Sequence, residues 1–262
     1  MKRSRSSVDS RRLDILRIIR QKDEVKVEEL AEEFNLSLMT VRRDLQYLED
    51  RRLITRFYGG ATAKLTARPM SEGEETQMYR QRISQFASRF VSAGDTLFIN
   101  GSVCALDILD YTQVSNVRVF TNNGNAISRT YPKSITVTIT GGEVRGHVMV
   151  GDYVMRNLLN ITADKTFIGC AAISDNGEFF YNIPTEIGIN EVMISRTSKD
   201  LYILADHTKL QKSASQNIGY GSCSYERDWT LITDEKADPE VVEKLRGLGK
   251  KVYVVSLDNL LD

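Results

Sequence analysis

Polar residues that can bind an anion follow several short apolar runs of this sequence. Asn100-Gly101-Ser102-Val103 comes after one such run, and Asp206-His207-Thr208-Lys209 comes after another. A Gly-Ser turn that leads into a helix presents backbone N–H groups and a hydroxyl, and these groups bind anions. Lys209 adds a positive charge, and a carboxylate such as Asp206 accepts hydrogen bonds from hydroxyl groups. The pattern predicts a site for a small polyhydroxylated anion.

Polar turns also follow apolar runs in other segments of the chain. Asn and Gly turns follow two further apolar runs, and Glu186 begins a predicted helix after a loop that contains Pro184. We assign hydroxyl recognition to Asp206, Glu186 and Asn122, and the charge contact to Lys209. The candidate ligand-binding residues are Asn100, Gly101, Ser102, Val103, Asn122, Asn123, Gly141, Gly142, Glu186, Asp206 and Lys209.

A second group of residues, near the N-terminus, has the chemistry of nucleic-acid contacts. Ser37 is placed as the N-cap of a predicted helix, and Arg42-Arg43 lies in that helix away from its apolar stripe. Arginine binds guanine edges and phosphates, and hydroxyl side chains bind both bases and phosphates. The candidate DNA-contacting residues are Ser37, Met39, Thr40, Arg42, Arg43, Arg56 and Tyr58.

Two short amphipathic helices position this second group. Apolar residues recur at helical spacing from Val27 in the first helix and from Leu38 in the second. A helix, a short turn and a second helix form the motif that places its second helix in the DNA major groove. Residues 53–58 alternate with β-like character and end at Gly59-Gly60, which predicts the strand and turn of a wing.

An earlier basic segment accompanies the helix pair. A helix is predicted over residues 10–21, and residues 1–9 are predicted as a loose arm. Residues 1–70 contain 16 Lys+Arg and 11 Asp+Glu, whereas the rest of the chain contains 19 and 24. A basic end on an acidic body favours contact with nucleic acid. The helix is expected to bury Ile15, Leu16 and Ile19. It is expected to leave three arginines for the DNA backbone, Arg11, Arg12 and Arg17.

Short apolar runs and helical patterns alternate in the rest of the chain. The alternation predicts βαβ units and a parallel sheet covered on both faces, and such a sheet binds ligands outside the carboxyl ends of its strands. The predicted strands are 96–99, 117–121, 135–140, 165–168, 201–205, 230–233 and 251–255. The predicted helices are 79–94, 106–111, 125–131, 152–159, 186–197 and 239–248. We therefore expect an α/β chain with a winged helix-turn-helix domain in residues 1–61, a linker in 62–77 and a ligand-binding and oligomerisation domain in 78–262.

Length and composition exclude several classes of protein. The chain has 262 residues, of which 41% are hydrophobic, so it can bury a sizeable core. No apolar run is long enough to span a membrane, and no signal peptide is visible at the charged N-terminus. Three widely spaced cysteines argue against a disulfide framework, and two histidines without a C-x-x-C motif argue against a metal site. We expect a cytoplasmic protein without a metal or a cofactor.

The chain resembles the DeoR family of bacterial sugar-metabolism regulators from about Arg11 to Val255. The most specific match runs from Ser37-x-x-Thr40-Val41-Arg42-Arg43-Asp44-Leu45 through Leu48-Glu49 to Tyr58-Gly59-Gly60-Ala61. Supporting matches are Gly94-Asp95, Gly101-Ser102, Thr121-Asn122, Gly141-Gly142, Phe167-Ile168-Gly169 and Leu204-Ala205-Asp206-His207-Thr208-Lys209.

This resemblance implies a winged helix-turn-helix joined to a Rossmann-like parallel-sheet sensor domain similar to ribose-5-phosphate isomerase. It also implies a homo-oligomer, a dimer or a tetramer, that binds a double-stranded DNA operator. Members of the family are mostly repressors of carbohydrate operons. Their sensor usually binds a phosphorylated sugar or a related metabolite, and this binding changes the affinity for the operator.

The sequence departs from the family pattern at a few positions. The family usually has the segment Asp-x-Gly-Ser-Thr here, and Asn100-Gly101-Ser102-Val103 does not match its acidic position. The family also often has Lys at the position of Asn190. Val103 stands where the family has a hydroxyl. In the wing, Tyr58 stands where His is common, and Arg52 stands where Gly is common. These differences concern the ligand and the local DNA contacts more than the fold.

The residues leave two other functions open. Asp206, Glu186 and Lys209 have the chemistry of acids and bases, so the second domain could belong to a sugar-phosphate isomerase or hydrolase with an accessory helix-turn-helix. The N-terminal unit could also be a protein-docking module. A regulator, not an enzyme, is the expected function, because a DNA-binding motif accompanies the pocket in one chain. Its dimer would place two recognition helices about 34 Å apart, or a multiple of this distance.

Overall fold

The structure, a computed structural model, describes residues 5–22, 24–50, 53–57, 59–62, 72–212, 220–223 and 227–257. The chain divides into two units, residues 1–71 and 72–262. The helices of the first unit are α1 (Arg5–Lys22), α2 (Val27–Glu33) and α3 (Leu38–Asp50). Its strands are β1 (Glu24–Lys26), β2 (Thr55–Phe57) and β3 (Gly60–Thr62).

The first unit is a winged helix-turn-helix, as the sequence predicts. Its core is apolar, and β3 pairs antiparallel with β1 on one side and with β2 on the other. The turn of the wing depends on glycine, because Gly59 has φ +86°. A Cβ on Gly60 would lie 2.6 Å from the Val25 carbonyl oxygen, so no larger residue fits there. The fully buried side chains of this core include Ile15, Ile19, Leu30, Val41 and Leu45.

Two expectations for the first unit are wrong. Helix α1 begins at Arg5, so residues 5–9 are helical and are not part of a loose arm. Leu38, expected on the buried stripe of α3, is 41% exposed. Leu38 is the first residue of the helix, and the packed stripe starts one turn later at Val41.

The second unit is built on a seven-stranded sheet in which every pair of neighbours is parallel. All seven predicted strands are present. In chain order they are β4 (Thr96–Ile99), β5 (Val117–Thr121), β6 (Ile135–Ile139), β9 (Ala163–Ile168), β12 (Thr197–Leu204), β15 (Thr230–Asp234) and β16 (Lys251–Val255). Their spatial order is β16-β15-β12-β9-β4-β5-β6.

Helices cover both faces of this sheet. Leu97 and Ile99 of β4 pack in one core with Ile83, whereas Phe98 between them packs in another core with Ile189. Successive residues of a strand point to opposite faces, so the near-continuous apolar runs of the sequence serve two cores. The helices are α4 (Glu72–Ala87), α5 (Val103–Leu106), α6 (Ile108–Tyr111), α7 (Asp152–Leu159), α8 (Thr185–Ser195) and α9 (Pro239–Gly247). Among the described residues, no helix combines the length and the apolar character that crossing a membrane requires.

Several element boundaries differ from the predictions. Helix α4 begins inside the segment assigned to the linker, and it ends at Ala87 before a 3₁₀ turn instead of continuing to Gly94. The helix predicted over 106–111 is divided into α5 and α6, and the one predicted over 125–131 is a 3₁₀ helix, Gly124–Ser128.

The second unit contains two small sheets that the sequence analysis did not predict. The first is a hairpin of β7 (Glu143–Arg145) and β8 (Val148–Val150). The second contains β10 (Ala172–Ser174), β11 (Phe179–Tyr181), β13 (Leu210–Gln211) and β14 (Tyr220–Cys223). Strands of two or three residues are too short to give a periodic pattern in the sequence, and Gly221-Ser222 interrupts the apolar character of the four-residue β14.

The strand order reverses direction at β4. Strand β5 follows β4 on one side, whereas β9 lies on its other side and starts the remaining half of the sheet. The connections on the two sides diverge at such a switch point, and this leaves a crevice at the carboxyl ends of the strands. The loops after β4, β9 and β12 meet there.

Candidate functional site

The N-terminal end of α3 forms an exposed polar surface in the first unit. Ser37 caps the helix, since its Oγ accepts a hydrogen bond from the Thr40 N–H at 3.2 Å and lies 2.8 Å from the Thr40 Oγ1. Met39 is 66% exposed, and Arg42 and Arg43 are exposed on the same helix. Neither arginine forms an ion pair with a residue that the structure describes. The predicted DNA-contacting residues of α3 are thus brought together on one accessible surface.

A buried carboxylate holds two arginines that the sequence assigned to DNA. Asp44 is 1% exposed and lies on the packed face of α3. Arg11 Nε and Arg12 Nε of α1 donate to its two carboxylate oxygens at 2.8 and 2.9 Å. The Arg12 guanidinium also lies 3.6 Å from the centre of the Tyr47 ring. The expectation that Arg11 and Arg12 remain available for the DNA backbone is therefore wrong, because both stabilise the contact between α1 and α3.

Arg56 of strand β2 in the wing contacts helix α3. Its Nε donates to Glu49 Oε2 at 2.7 Å, and its backbone N–H donates to Glu49 Oε1 at 3.0 Å. Arg56, a predicted DNA contact, thus has part of its charge neutralised by a residue of α3. Tyr58, the other predicted contact in the wing, lies outside the described residues.

A pocket of about 440 Å³ lies at the switch point of the large sheet. Its wall comes from the loops after β4, β9 and β12, the start of α8, the tip of the β7–β8 hairpin and one face of α4. The wall includes seven of the predicted ligand-binding residues, namely Asn100, Gly101, Ser102, Val103, Glu186, Asp206 and Lys209.

Asn100 fixes the loop after β4 to the loop after β9. Its Oδ1 accepts hydrogen bonds from the N–H groups of Ser102 at 3.1 Å and Gly169 at 3.0 Å. Its Nδ2 donates to the Gly169 carbonyl at 2.9 Å and to Asn190 Oδ1 at 3.2 Å. Asn100, in a segment that departs from the family pattern, and Asn190, where the family often has Lys, therefore contact each other as a neutral pair. Asn190 is 1% exposed.

Four predicted ligand-binding residues do not line the pocket. Asn123 lies behind its wall, where its Nδ2 donates to the carbonyls of Gly101 and Ser102, each at 3.0 Å. Asn122 is 1% exposed and donates to the Met149 carbonyl at 2.9 Å. Gly141 and Gly142 form the turn before β7. The loop after β12, two strands from β4, reaches the pocket, whereas the loop after β5, the direct neighbour of β4, does not. Asn123 of that loop instead positions the loop after β4.

The pocket carries a charged cluster of Asp206, Arg80 and Lys209. Arg80 Nε donates to Asp206 Oδ2 at 2.6 Å, and the Thr208 N–H donates to Asp206 Oδ1 at 3.0 Å. Burial by itself raises the pKa of Asp206, but the hydrogen bonds from Thr208 and Arg80 and the charges of Arg80 and Lys209 outweigh it and leave the pKa lowered. Asp206 is therefore ionised at neutral pH. Lys209 forms no ion pair with any part of the chain that the structure describes.

Glu186 and His147 lie on either side of Gly101. The His147 ring Nε2 is 3.1 Å from the Gly101 carbonyl oxygen. A Cβ on Gly101 would lie 3.1 Å from Glu186 Oε1 and 2.7 Å from the Val148 side chain, so only glycine fits. Burial raises the pKa of Glu186. The pocket thus contains one carboxyl group whose burial favours a proton and another, Asp206, that is held ionised.

Sequence reasoning missed several polar residues of the pocket, and two of them can carry a positive charge that matters for a ligand. Arg80 and His147 both line it, from α4 and from the hairpin tip. The only sequence signal for Arg80 is its place on the polar face of a helix, which most surface arginines share. Cys104 and Cys170 also lie in the wall, and burial raises the pKa of the Cys104 thiol to about 12. Among the described residues no group of three His, Cys, Asp or Glu side chains is placed to hold a metal ion.

A winged helix-turn-helix followed by an α/β domain with a charged, sheet-edge pocket defines the class of two-domain regulators that bind DNA and a small ligand. Comparison with protein families agrees with both parts. Residues 11–66 match the DeoR-like helix-turn-helix domain, and residues 75–235 match the DeoR C terminal sensor domain. The chain belongs to the DeoR family of transcriptional regulators.

Curated relatives support the same assignment. The chain is 28% identical over 218 residues to the Glycerol-3-phosphate regulon repressor of Escherichia coli (strain K12), which covers 78% of this chain and 84% of the relative. It is 26% identical over 259 residues to the Lactose phosphotransferase system repressor of Staphylococcus aureus (strain N315). This alignment covers 94% of this chain and 98% of the relative. Because these relatives are named as repressors, an enzymatic function is not favoured.

Solved structures give a more distant likeness. The ribose 5-phosphate isomerase from Plasmodium falciparum is 13% identical, with a TM-score of 0.37. The likeness covers 52% of this chain and 54% of the isomerase chain.

Proposed function

We propose that this regulator is a repressor of a carbohydrate-metabolism operon and that a phosphorylated sugar in the sheet-edge pocket modulates its binding to the operator. The observation that carries the proposal is the charged cluster in the pocket. Lys209 and Arg80 supply positive charge for a phosphate, while Asp206 and Glu186 supply carboxylate oxygens for hydroxyl groups. The names of two relatives, a glycerol-3-phosphate regulon repressor and a lactose phosphotransferase system repressor, agree with such a ligand.

The DNA-binding part of the proposal uses the exposed start of α3. Ser37, Met39, Thr40, Arg42 and Arg43 contact base edges or phosphates, and an arginine bidentate to guanine contributes about 1–3 kcal/mol of discrimination. The exposed Met39 suits an apolar contact, such as a thymine methyl group. Arg56 and Tyr58 of the wing contact the backbone beside the groove.

A homo-oligomer, a dimer or a tetramer, completes the DNA-binding unit in this proposal. One recognition helix covers only a few base pairs, so two helices on half-sites about 34 Å apart, or a multiple of this distance, give the required affinity. An operator read by such a dimer is a palindrome or nearly so.

The ligand and the operator are proposed to act on each other through two states of the protein. The coupling free energy between two such sites is typically about 1–3 kcal/mol, and it is reciprocal. Operator DNA must therefore change the affinity for the sugar phosphate by the same factor by which the sugar phosphate changes the affinity for operator DNA.

Fluorescence anisotropy tests the proposal. The protein is titrated onto labelled DNA from upstream of its own gene, and onto a shuffled control, at several salt concentrations. We expect preferential binding whose log affinity falls linearly with log salt concentration. The titration is repeated with glycerol 3-phosphate, ribose 5-phosphate, galactose 6-phosphate and the matching unphosphorylated sugars.

Release by one phosphorylated compound, but not by its unphosphorylated partner, is the expected result. Operator binding that responds equally to a sugar and to its phosphate would contradict the assignment of the pocket to a phosphorylated ligand. Binding to both DNAs with equal affinity, without a salt dependence, would contradict the DNA-binding role of α3.

A further inference from the structure

One face of α4 forms part of the pocket wall. Gln77, Arg80 and Gln81 all line the pocket, and their spacing of three and four residues places them on the same side of the helix. Ser84, one turn further along, donates to the Cys104 carbonyl at 2.8 Å. The face of α4 that carries Arg80 thus rests on α5 and borders the space that a ligand would occupy.

Arg80 is held by Asp206 at a single nitrogen. Its Nε donates at 2.6 Å, and the other guanidinium N–H groups form no hydrogen bond with a described residue. The Arg80 side chain is 45% exposed, whereas that of Asp206 is 3% exposed. The carboxylate is fixed independently by the Thr208 N–H at 3.0 Å and by the Thr208 hydroxyl. Of the two partners, Arg80 is the one that is free to move.

The chemistry of a guanidinium suits this position. Its planar array of N–H groups binds a phosphate with two parallel hydrogen bonds, and it keeps its charge at every physiological pH. A phosphate that enters the pocket reaches Arg80 from its exposed side. It offers several acceptor oxygens, whereas Arg80 now contacts only one oxygen of the Asp206 carboxylate. Exchange of one anion for the other leaves Asp206 with its Thr208 hydrogen bonds.

Three other polar contacts of α4 lie away from the pocket. Tyr79 Oη donates to Glu235 Oε1 at 3.2 Å, and Arg82 Nε donates to the Ser256 carbonyl at 3.2 Å. Lys236 pairs with Glu75 at 2.5 Å. These contacts hold α4 to the segments after β15 and β16. The Arg80–Asp206 pair holds α4 to the segment after β12, where the Tyr79 ring also lies 5.6 Å from the His207 ring. Of these two contacts, the Arg80–Asp206 pair is the one that lines the pocket, where a ligand can reach it.

We propose that Arg80 is the residue that binds the anionic group of the ligand, and that it does so by exchanging Asp206 for that group. The inference rests on the proposed function, since it assumes a phosphorylated ligand in this pocket. Its consequence is regulatory. Helix α4 is the first element of the second unit and follows the DNA-binding unit along the chain. The exchange therefore changes a contact of this helix when a ligand occupies the pocket.

Calorimetric titration of the full chain tests the anion contact. The probes are inorganic phosphate and the three sugar phosphates of the anisotropy panel. Arg80→Gln is expected to lower the affinity for each phosphorylated probe by about tenfold to a hundredfold, the effect of a lost hydrogen bond to a charged group. Arg89→Gln is the matched control, because Arg89 is an exposed arginine of the adjoining 3₁₀ turn and does not line the pocket. It is expected to change the affinity less than twofold.

A double-mutant cycle tests the exchange itself. Asp206→Asn keeps an acceptor for Thr208 but presents an N–H group to Arg80, which releases the guanidinium. This variant is expected to raise the affinity for inorganic phosphate several-fold in the wild-type background. It is expected to raise the affinity by a clearly smaller factor in the Arg80→Gln background, where no arginine is left to release.

The outcomes separate the inference from the proposed function. Equal affinity of wild type and Arg80→Gln for a sugar phosphate that releases operator DNA would overturn the inference and leave the proposed function intact. If Asp206→Asn changed the affinity for inorganic phosphate by the same factor in both backgrounds, the proposed exchange of Asp206 for the ligand would be wrong. Absence of binding of every probe to the wild-type protein would contradict the proposed function and the inference together. Circular dichroism spectra and melting temperatures of each variant verify that it is folded.

Discussion

The two units of this regulator each contain a buried aspartate that binds arginine, and the two aspartates differ in what surrounds them. In the first unit, Asp44 binds Arg11 and Arg12, whose side chains are only 13% and 17% exposed. In the second unit, Asp206 binds Arg80 alone, and the Arg80 side chain is 45% exposed. Both carboxylates are nearly inaccessible to solvent.

The same kind of ion pair, aspartate with arginine, has different surroundings in the two units. Two arginines satisfy both oxygens of Asp44, and Tyr47 covers one of the guanidinium groups, so nothing can replace them. At Asp206 the second oxygen is satisfied by Thr208, and Arg80 faces an open pocket. Burial of the carboxylate is therefore not what makes an ion pair structural or functional. What distinguishes the Arg80–Asp206 pair is that its cationic partner is exposed and lines a pocket that an anion can enter.

Removal of the Asp44 carboxylate should give the largest effect. Asp44→Ala leaves two arginines without a partner between α1 and α3, and this is expected to destabilise the first unit by about 3 kcal/mol, the low end for a broken buried pair because both arginines are partly exposed. Hydrogen exchange of the α1 and α3 amides measures it in the full chain. Asp206→Asn should leave those amides unchanged, and equal loss of protection in both variants would break the comparison.

A neutral pair extends the comparison. Asn100 contacts Asn190 and the Gly169 carbonyl through its Nδ2, so Asn100→Asp would place a carboxylate against two acceptor oxygens. We expect destabilisation of about 2 kcal/mol, within the range for an unsatisfied buried polar group. The double variant Asn100→Asp with Asn190→Lys, which pairs the new carboxylate with a cation, is expected to recover most of it. Urea denaturation of the second unit measures both, and additive losses would show that the two positions are independent.

Arginines that are not held by a carboxylate should matter for DNA instead of stability. Arg42→Ala and Arg43→Ala are each expected to weaken operator binding by about 1–2 kcal/mol, without a change in melting temperature. Arg156→Ala serves as the control, because Arg156 is an exposed arginine of α7 that forms no ion pair with a described residue. Arg12→Gln should give the opposite pattern, with a lower melting temperature and an unchanged salt slope of DNA binding. A reduced salt slope for Arg12→Gln would contradict its structural role.

The smallest predicted effect is a difference in pH dependence between two carboxylates of the pocket. The pKa of Asp206 is lowered in the folded state, so its contribution to stability is present above the unfolded pKa and is lost as the pH falls through the folded value. The pKa of Glu186 is raised, so its charged form is disfavoured, and stability is lost as the pH rises through the folded value.

Glu186→Gln is therefore expected to stabilise the protein at pH 7, by less than about 1 kcal/mol because the group is partly exposed, and to have no effect near pH 4. Asp206→Asn is expected to destabilise it at pH 7, with a difference that shrinks below about pH 4. Thermal unfolding at a series of pH values measures both. Effects of the same sign at pH 7 would contradict the assignment of the two pKa directions.

The elements of the fold were largely predictable from the sequence. Strand β4 lies at its predicted bounds because it is buried on both faces and reads as an unbroken apolar run. Helix α7 was predicted at its observed bounds, and the helix pair α2–α3 was found from its apolar spacing. Each of these signals is local, since the period of burial within one element depends only on neighbouring residues.

The partners of the polar residues were not predictable in the same way. Arg11 and Asp44 are 33 positions apart, Asn100 and Asn190 are 90 apart, and Arg80 and Asp206 are 126 apart. The sequence placed Asp206 correctly at the end of a strand but gave no sign that Arg80 would meet it. It likewise assigned Arg11 and Arg12 to DNA, because nothing near them in the chain indicates a buried carboxylate.

The sequence by itself thus determined the strands of the large sheet, the winged helix-turn-helix and the sheet edge at which polar loops converge. Only the tertiary structure decided which of those loops reach the pocket, which arginines are buried against a carboxylate, and that Arg80 stays exposed beside one. The physical reason is that periodic burial is a property of a short segment, whereas a hydrogen bond or an ion pair depends on where distant segments meet. For Asp44 and Asp206, that meeting point separates a structural contact from a proposed regulatory one.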